Sequence, residues 1–229
     1  MECAFAAERG AFVAVKPTLL LIMDGWGENP RRENNAVAIA NTPNWDALTA
    51  KYPYVQLMAS GEDVGLPDGV MGNSEVGHLN LGAGRVVWQE ITRISRAIRE
   101  GAFFTNKVLA DAFHSAQKSG GAVHLIGLVS DGCVHSAPAH YYALLTFAQK
   151  LGFPGDRLFV HCLMDGRDTP PTSGIKHMAD FMAKMKETGV GRVATISGRY
   201  WAMDRDKRWE RVEKAYRCLI YGEGVRESD

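Results

Sequence analysis

The chain has 229 residues, enough for one large domain or two small ones, and its 46% hydrophobic content suits a packed core. Twenty-six basic and twenty-six acidic residues cancel. That balance excludes a global field suited to nucleic acid or an anionic membrane, so any anion must be met by a local cluster of cations. Cys3, Cys133, Cys162 and Cys218 are scattered without a Cys-x-x-Cys pair, which reads as free thiols in a reducing cytoplasm rather than a disulfide framework or a zinc site.

No run reaches the roughly 18 apolar residues that cross a bilayer. Residues 1–16 are apolar in patches but carry Glu2, Glu8 and Arg9, so they do not read as a secretory signal. The expectation there is a disordered start, or sequence ahead of the true initiation site. Leu19 to Met23 is a short apolar run closed by Asp24-Gly25, which reads as a buried strand of a parallel sheet. Thr42-Pro43-Asn44-Trp45-Asp46 supplies an N-cap, a proline for the first helical position and an early acid, predicting a helix to about Tyr52. From Ser60 to Arg85 glycine recurs, as it does where backbone must approach a ligand. Within that stretch Ser74 lies between small residues at the start of a helix.

Val87, Ile91, Ile94 and Ile98 recur at helical spacing, an amphipathic helix suited to a domain junction, and the boundary is placed near Trp88. Three strand–helix pairs follow. The strands are read at Ala122–Val129, Arg157–Met164 and Arg192–Ile196, and the helices from Tyr141 to Leu151, from about Ser173 to Glu187 and from about Asp206 to Leu219. Such alternation predicts right-handed crossovers and a parallel sheet with helices on both faces.

Each strand runs into a polar cluster: Asp131-Gly132-Cys133-Val134-His135, Asp165-Gly166-Arg167-Asp168 and Ser197-Gly198-Arg199-Tyr200. Ligands of open α/β sheets bind outside the carboxyl ends of the strands, so His135, Arg167, Asp168 and Arg199 are expected at one sheet edge, with Arg205 returning from the next loop. Arginines and a histidine aimed at one cleft suit a small, densely anionic ligand, and a single carboxylate among them suits a ligand hydroxyl. Each residue also has a plainer reading. Asp24 can be a turn former, Ser74 a helix N-cap, His135 a core histidine, and Arg199 and Arg205 surface ion-pair members. Asp165 is read as the turn that aims its neighbours and is left outside the site. His78, His114, His124, His140, His161 and His177 have no metal-ligand spacing and read as structural.

The runs LLLIMDGWGENP, LPDGVMGNSEVGHLNLGAGRVVWQEITRI, HLIGLVSDGCVHS, CLMDGRDTPP and ISGRYWAMDRDKRWERVEKAY, in this order, resemble the 2,3-bisphosphoglycerate-independent phosphoglycerate mutases of the alkaline phosphatase superfamily. The resemblance implies an α/β chain: an extension over residues 1–16, the N-terminal part of an alkaline-phosphatase-like metal-binding domain over 17–88, and an incomplete α/β transferase domain with a mainly parallel sheet over 89–229. It implies that Asp24 and Ser74 are ligands of one of two Mn²⁺ (or Mg²⁺) ions. Ser74 would be the nucleophile that becomes phosphorylated. His135, Arg167, Asp168, Arg199 and Arg205 would bind substrate, with Asp168 also catalytic. The implied reaction interconverts 3-phosphoglycerate and 2-phosphoglycerate in glycolysis and gluconeogenesis, without 2,3-bisphosphoglycerate, in a cytoplasmic and monomeric complete enzyme with a small-molecule partner and no nucleic acid or membrane. The chain departs from the family in length: it is less than half as long, and the later Asp/His metal ligands, a lysine and two further arginines have no counterpart. The expectation is therefore a polypeptide inactive by itself. The rival readings are another phosphomutase or phosphatase of the superfamily, and a non-enzymatic truncated product.

Overall fold

The computed structural model describes residues 16–227, so the expectation for the start of the chain lies, but for Lys16, outside the described residues. The chain divides into two compact units that part between Met58 and Ala59, and each is described by itself.

In the first unit, α1 (Ala36–Ile39) is followed by α2 (Pro43–Lys51), which has proline at its start as expected. Thr42 does not cap the backbone; its hydroxyl bonds the Asp46 carboxylate at 3.2 Å. Trp45 packs edge-on against Trp26 (5.6 Å between ring centroids) and Tyr54 (6.4 Å). The expected buried strand at Leu19–Met23 is not there: these residues have no ladder partner among the described residues, and Leu19 is 85% exposed. A strand needs a hydrogen-bonded neighbour, and among the described residues of this unit no strand exists to supply one.

The second unit is mixed α/β, built on a three-stranded parallel sheet in the order β1 (Val123–Val129), β2 (Leu158–Met164), β3 (Arg192–Gly198). β2 lies between the other two and is buried along nearly its whole length, the pattern of a strand covered on both faces. Outer strands β1 and β3 alternate toward solvent. The connections are α6 (Pro138–Lys150) and α7 (Gly174–Thr188), and α9 (Trp209–Tyr221) follows β3. In α7 the buried residues are His177, Phe181, Met185 and Thr188, one stripe at helical spacing. α6 buries a broader face with Ala143, Leu145, Phe147 and Ala148. These helices meet α5 (Lys107–Ser119), which the sequence reading passed over, in a core around Phe113, Phe147, Phe153 and Phe181.

Ahead of the sheet lie α3 (Ser74–Ala83) and α4 (Glu90–Arg99). The segment 59–88 is tied to this unit by backbone-directed bonds: the Asn80 amide donates to Val64 O, its oxygen accepts from Val87 N–H, and Gln89 N–H donates to Gly65 O. The compact units thus part earlier than the sequence boundary near Trp88. That boundary concerns domains of longer relatives and remains a proposal. The arginines of α4 are held in ion pairs, Arg93 with Glu90, Arg96 with Glu100 (3.0 Å) and Arg99 with Glu62 (2.7 Å).

Candidate active site

Because the three strands are parallel, their carboxyl ends open at one edge. There Val134, His135, the loop Asp165–Asp168, Gly198, Arg199, Tyr200 and the segment Met203–Asp206 line a cleft of about 590 Å³ together with Arg211. All five sequence-predicted substrate residues, His135, Arg167, Asp168, Arg199 and Arg205, are on its wall. They come from separate loops: His135 after β1, Arg167 and Asp168 after β2, Arg199 as the first residue of the short α8 (Arg199–Ala202), and Arg205 between α8 and α9.

The charges in the cleft fall into two groups. Arg199, with its side chain only 11% exposed, donates from Nη1 to both Asp165 Oδ1 (2.8 Å) and Asp168 Oδ2 (2.6 Å). The hydrogen bond to Asp168 raises the Arg199 pKa; burial opposes this, and the bond to Asp165 adds to it. Arg211 lies over the Tyr200 ring at 3.8 Å and within 3.6 Å of the buried Asp204 carboxylate. By contrast, Arg167 and Arg205 are exposed and have no carboxylate within ion-pair distance among the described residues. His135 is half-exposed, with Nε2 at 3.7 Å from Asp168 Oδ2, too long for a direct hydrogen bond. Asp168 Oδ2 is occupied by Arg199, whereas Oδ1 accepts no hydrogen bond from the described residues. An arriving anion therefore meets two uncommitted guanidinium groups, and an arriving hydroxyl meets a carboxylate oxygen able to accept from it.

Asp165 departs from its reading as a turn residue outside the site. Its side chain is 2% exposed and accepts from Ser130 Oγ, from Arg199 and from the N–H groups of Arg167 and Asp168. Burial pushes its pKa up, but the bonds from Ser130, Arg199 and the two amides outweigh burial, and the net shift is below the ordinary carboxylate range. The sequence signal was there, an aspartate just past the end of an apolar strand, but Ser130, which follows β1, and Arg199, which follows β3, are distant from it in sequence. Gly166 adopts φ +92°, the left-handed region that favours glycine, and lies against Pro171.

Ser74 is the first residue of α3, and the capping role falls to Asn73, whose side chain accepts from Val76 N–H at 3.1 Å. Ser74 is exposed, and its hydroxyl contacts His78 Nδ1 at 3.1 Å. That nitrogen is closer to the Ser74 carbonyl (2.8 Å), an arrangement in which Nδ1 is a donor and not a base for the hydroxyl. Glycine is required at position 72, since a Cβ there would lie 1.8 Å from Ala59 O. Ser74 is not among the residues lining the cleft. Asp24, in the first unit, stands with Gly25 in a turn closed by Trp26 N–H to Met23 O at 3.2 Å. No group of three or more His, Cys, Asp or Glu that could hold a metal ion occurs among the described residues. A divalent ion of the Mn²⁺ or Mg²⁺ kind takes about six ligands, mostly oxygen. One carboxylate and one hydroxyl do not complete that set, so the residues present do not by themselves fit the two ions the resemblance implies.

His124, His140, His161 and His177 are engaged structurally, and His114 is exposed on α5. His140 bonds Ser95 at 2.8 Å, and His161 bonds His124 and Thr195, each at 2.9 Å. Burial lowers the pKa of both His140 and His161, and His124 lowers that of His161 further.

The family model described as the BPG-independent PGAM N-terminus (iPGM_N) matches residues 94–229, more than half of the chain. The chain belongs to the 2,3-bisphosphoglycerate-independent phosphoglycerate mutase family. A 2,3-bisphosphoglycerate-independent phosphoglycerate mutase of Clostridium perfringens is 55% identical over 213 residues, covering 93% of this chain and 41% of that protein. The enzyme of that name from Moorella thermoacetica is 52% identical over 214 residues, with the same coverage. Among solved structures, phosphoglycerate mutase of Leishmania mexicana, crystallised at low cobalt concentration, matches with a TM-score of 0.60 and 38% identity over 88% of this chain and 38% of that one. The chain thus spans about two fifths of the length of the phosphoglycerate mutases it matches.

Proposed function

We propose that the cleft at the sheet edge is the phosphoglycerate site of a mutase that interconverts 3-phosphoglycerate and 2-phosphoglycerate, and that Ser74 is its phosphoryl acceptor. The observation that carries this reading is the meeting, in one cleft, of the unpaired Arg167 and Arg205 with Asp168 and His135 in a chain of this family. Arg167 and Arg205 bind the phosphate and carboxylate of the ligand, and His135 adds a hydrogen bond. Asp168 Oδ1 accepts the proton of the glycerate hydroxyl that takes the phosphoryl group back. The phosphoryl group passes first to Ser74 Oγ, a hydroxyl that the helix does not use for capping. The glycerate O–P bond breaks as the Oγ–P bond forms, and the proton given up by Oγ goes to the departing glycerate oxygen; on return the Oγ–P bond breaks and Oγ regains a proton.

Asp24 and Ser74 are proposed as two donors of a Mn²⁺ (or Mg²⁺) site, but the set is incomplete and no step is derived from it. The polypeptide is accordingly proposed to bind phosphoglycerate and not to turn it over alone. Unpaired Cys133, Cys162 and Cys218 fit a cytoplasmic reaction, and a monomeric complete enzyme is the reading we adopt.

Calorimetric titration of the chain with 3-phosphoglycerate, glycerate and a pentose phosphate tests the site. The phosphoglycerate is expected to bind, and Arg167→Ala or Arg205→Ala to weaken it about tenfold or more, the loss of a charge-assisted bidentate contact. Equal affinity for the pentose phosphate, or wild-type affinity in both variants, removes the reading. In a full-length relative the equivalent of Ser74→Ala is expected to abolish turnover, and in this chain Ser74→Ala is expected to leave stability within about 0.5 kcal/mol, as for an exposed, non-capping position.

A further inference from the structure

We infer that Asp165 is a positioning residue of the phosphoglycerate site, the fixed counterion that holds Arg199 and the Arg167-Asp168 backbone in place so that Asp168 is left free to work. This inference rests on the reading of the cleft given above.

One carboxylate joins the ends of all three strands. Ser130 Oγ, at the end of β1 and 1% exposed, donates to Oδ2 at 2.6 Å. Oδ1 accepts from the N–H groups of Arg167 and Asp168, both at 3.1 Å, and from Arg199 Nη1 at 2.8 Å. Ser130 also accepts from Gly132 N–H at 3.1 Å, which carries the tie into the loop that bears His135. Each bond fixes a different part of the cleft wall.

Arg199 has two carboxylates, and they are not equivalent. Asp168 sits on the cleft wall at 19% exposure, with one oxygen uncommitted, whereas Asp165 is 2% exposed with both oxygens bonded. A proton arriving at Asp168 removes its charge and weakens its hold on Arg199. The guanidinium stays compensated and oriented only because Asp165 remains ionised beneath it. Without Asp165, Arg199 and Asp168 would pair with each other alone. Held by that one carboxylate, the guanidinium would be free to turn about it, and it would lose its counterion whenever Asp168 takes up a proton.

The experiment turns on a difference in sign. Asp165→Asn removes a negative charge near an anion site, so simple electrostatics makes 3-phosphoglycerate bind more tightly. A positioning role makes it bind about tenfold more weakly. Titration of the chain is paired with ¹⁵N–¹H spectra of the Arg199 guanidinium, whose separate Nη signals in the wild type are expected to merge in Asp165→Asn as rotation is freed. Unchanged or tighter binding with unchanged guanidinium signals overturns the inference. If Asp165→Asn does not fold, Ser130→Ala decides, since it removes one donor and keeps the charge. Binding about two- to threefold weaker, with broadened Arg199 signals, is then expected, and wild-type values of both overturn the inference. If the wild type fails to bind 3-phosphoglycerate, the reading of the cleft is lost, while the guanidinium spectra still test Asp165.

Discussion

Arg199 Nη1 donating to two aspartates at once fixes the chemistry of the cleft more than any other contact. With Arg211 beside Asp204, it divides the arginines of the cleft into two held by carboxylates, Arg199 and Arg211, and two, Arg167 and Arg205, with no carboxylate partner among the described residues. Asp165 also has a consequence for stability. Its folded-state pKa lies below the ordinary carboxylate value of 3.8, so the unfolded chain takes up the proton first as pH falls. The stabilisation is complete above that value and drains away as pH falls toward the folded value. Asp165→Asn is therefore expected to cost about 1–3 kcal/mol at neutral pH, the usual loss for a buried, charge-assisted network. The gap from wild type should narrow below about pH 4. Urea denaturation at neutral pH and at acid pH measures it, and a gap independent of pH would count against the carboxylate as its source.

Elements whose core is internal were the ones legible in sequence. The strand and helix of each repeat were expected within a few residues of where they stand, because α6 and α7 carry their own apolar stripes and β2 its own unbroken apolar run. α5 is not among the expected elements, although Phe113 packs against Phe147 and Phe153. Its apolar residues make sense only once a core exists for them to face. Leu145 is 0% exposed and Ile175 is 83% exposed, so Leu145→Ala is expected to cost about 2–5 kcal/mol and Ile175→Ala under about 0.5 kcal/mol by chemical denaturation. Comparable losses would mean that α7 buries a face other than the stripe from His177 to Thr188.

For the molecule as a whole, the two units differ in how far their apolar residues are satisfied. In the second they enclose a core, whereas Leu19, Leu20 and Leu21 of the first are 70% exposed or more. Among the described residues no backbone acceptor is found for the N–H groups of Leu19 to Met23, while those of β2 sit in a ladder on both sides. Hydrogen exchange is expected near the intrinsic rate over Leu19–Met23 and slowed by orders of magnitude in β2. Equal protection would show that the apolar run has found a partner. The sequence alone determined the alternation of strands and helices, the parallel sheet and the candidates His135, Arg167, Asp168, Arg199 and Arg205. These follow from short-range periodicity and from the rule that parallel strands end at one edge. Only the tertiary structure decided which arginines are neutralised, that Asp165 joins three strand ends, that Asn73 rather than Ser74 caps α3, and that Leu19–Met23 stands without a ladder. Each of those depends on a partner far away in the chain or on a hydrogen bond whose direction composition does not encode.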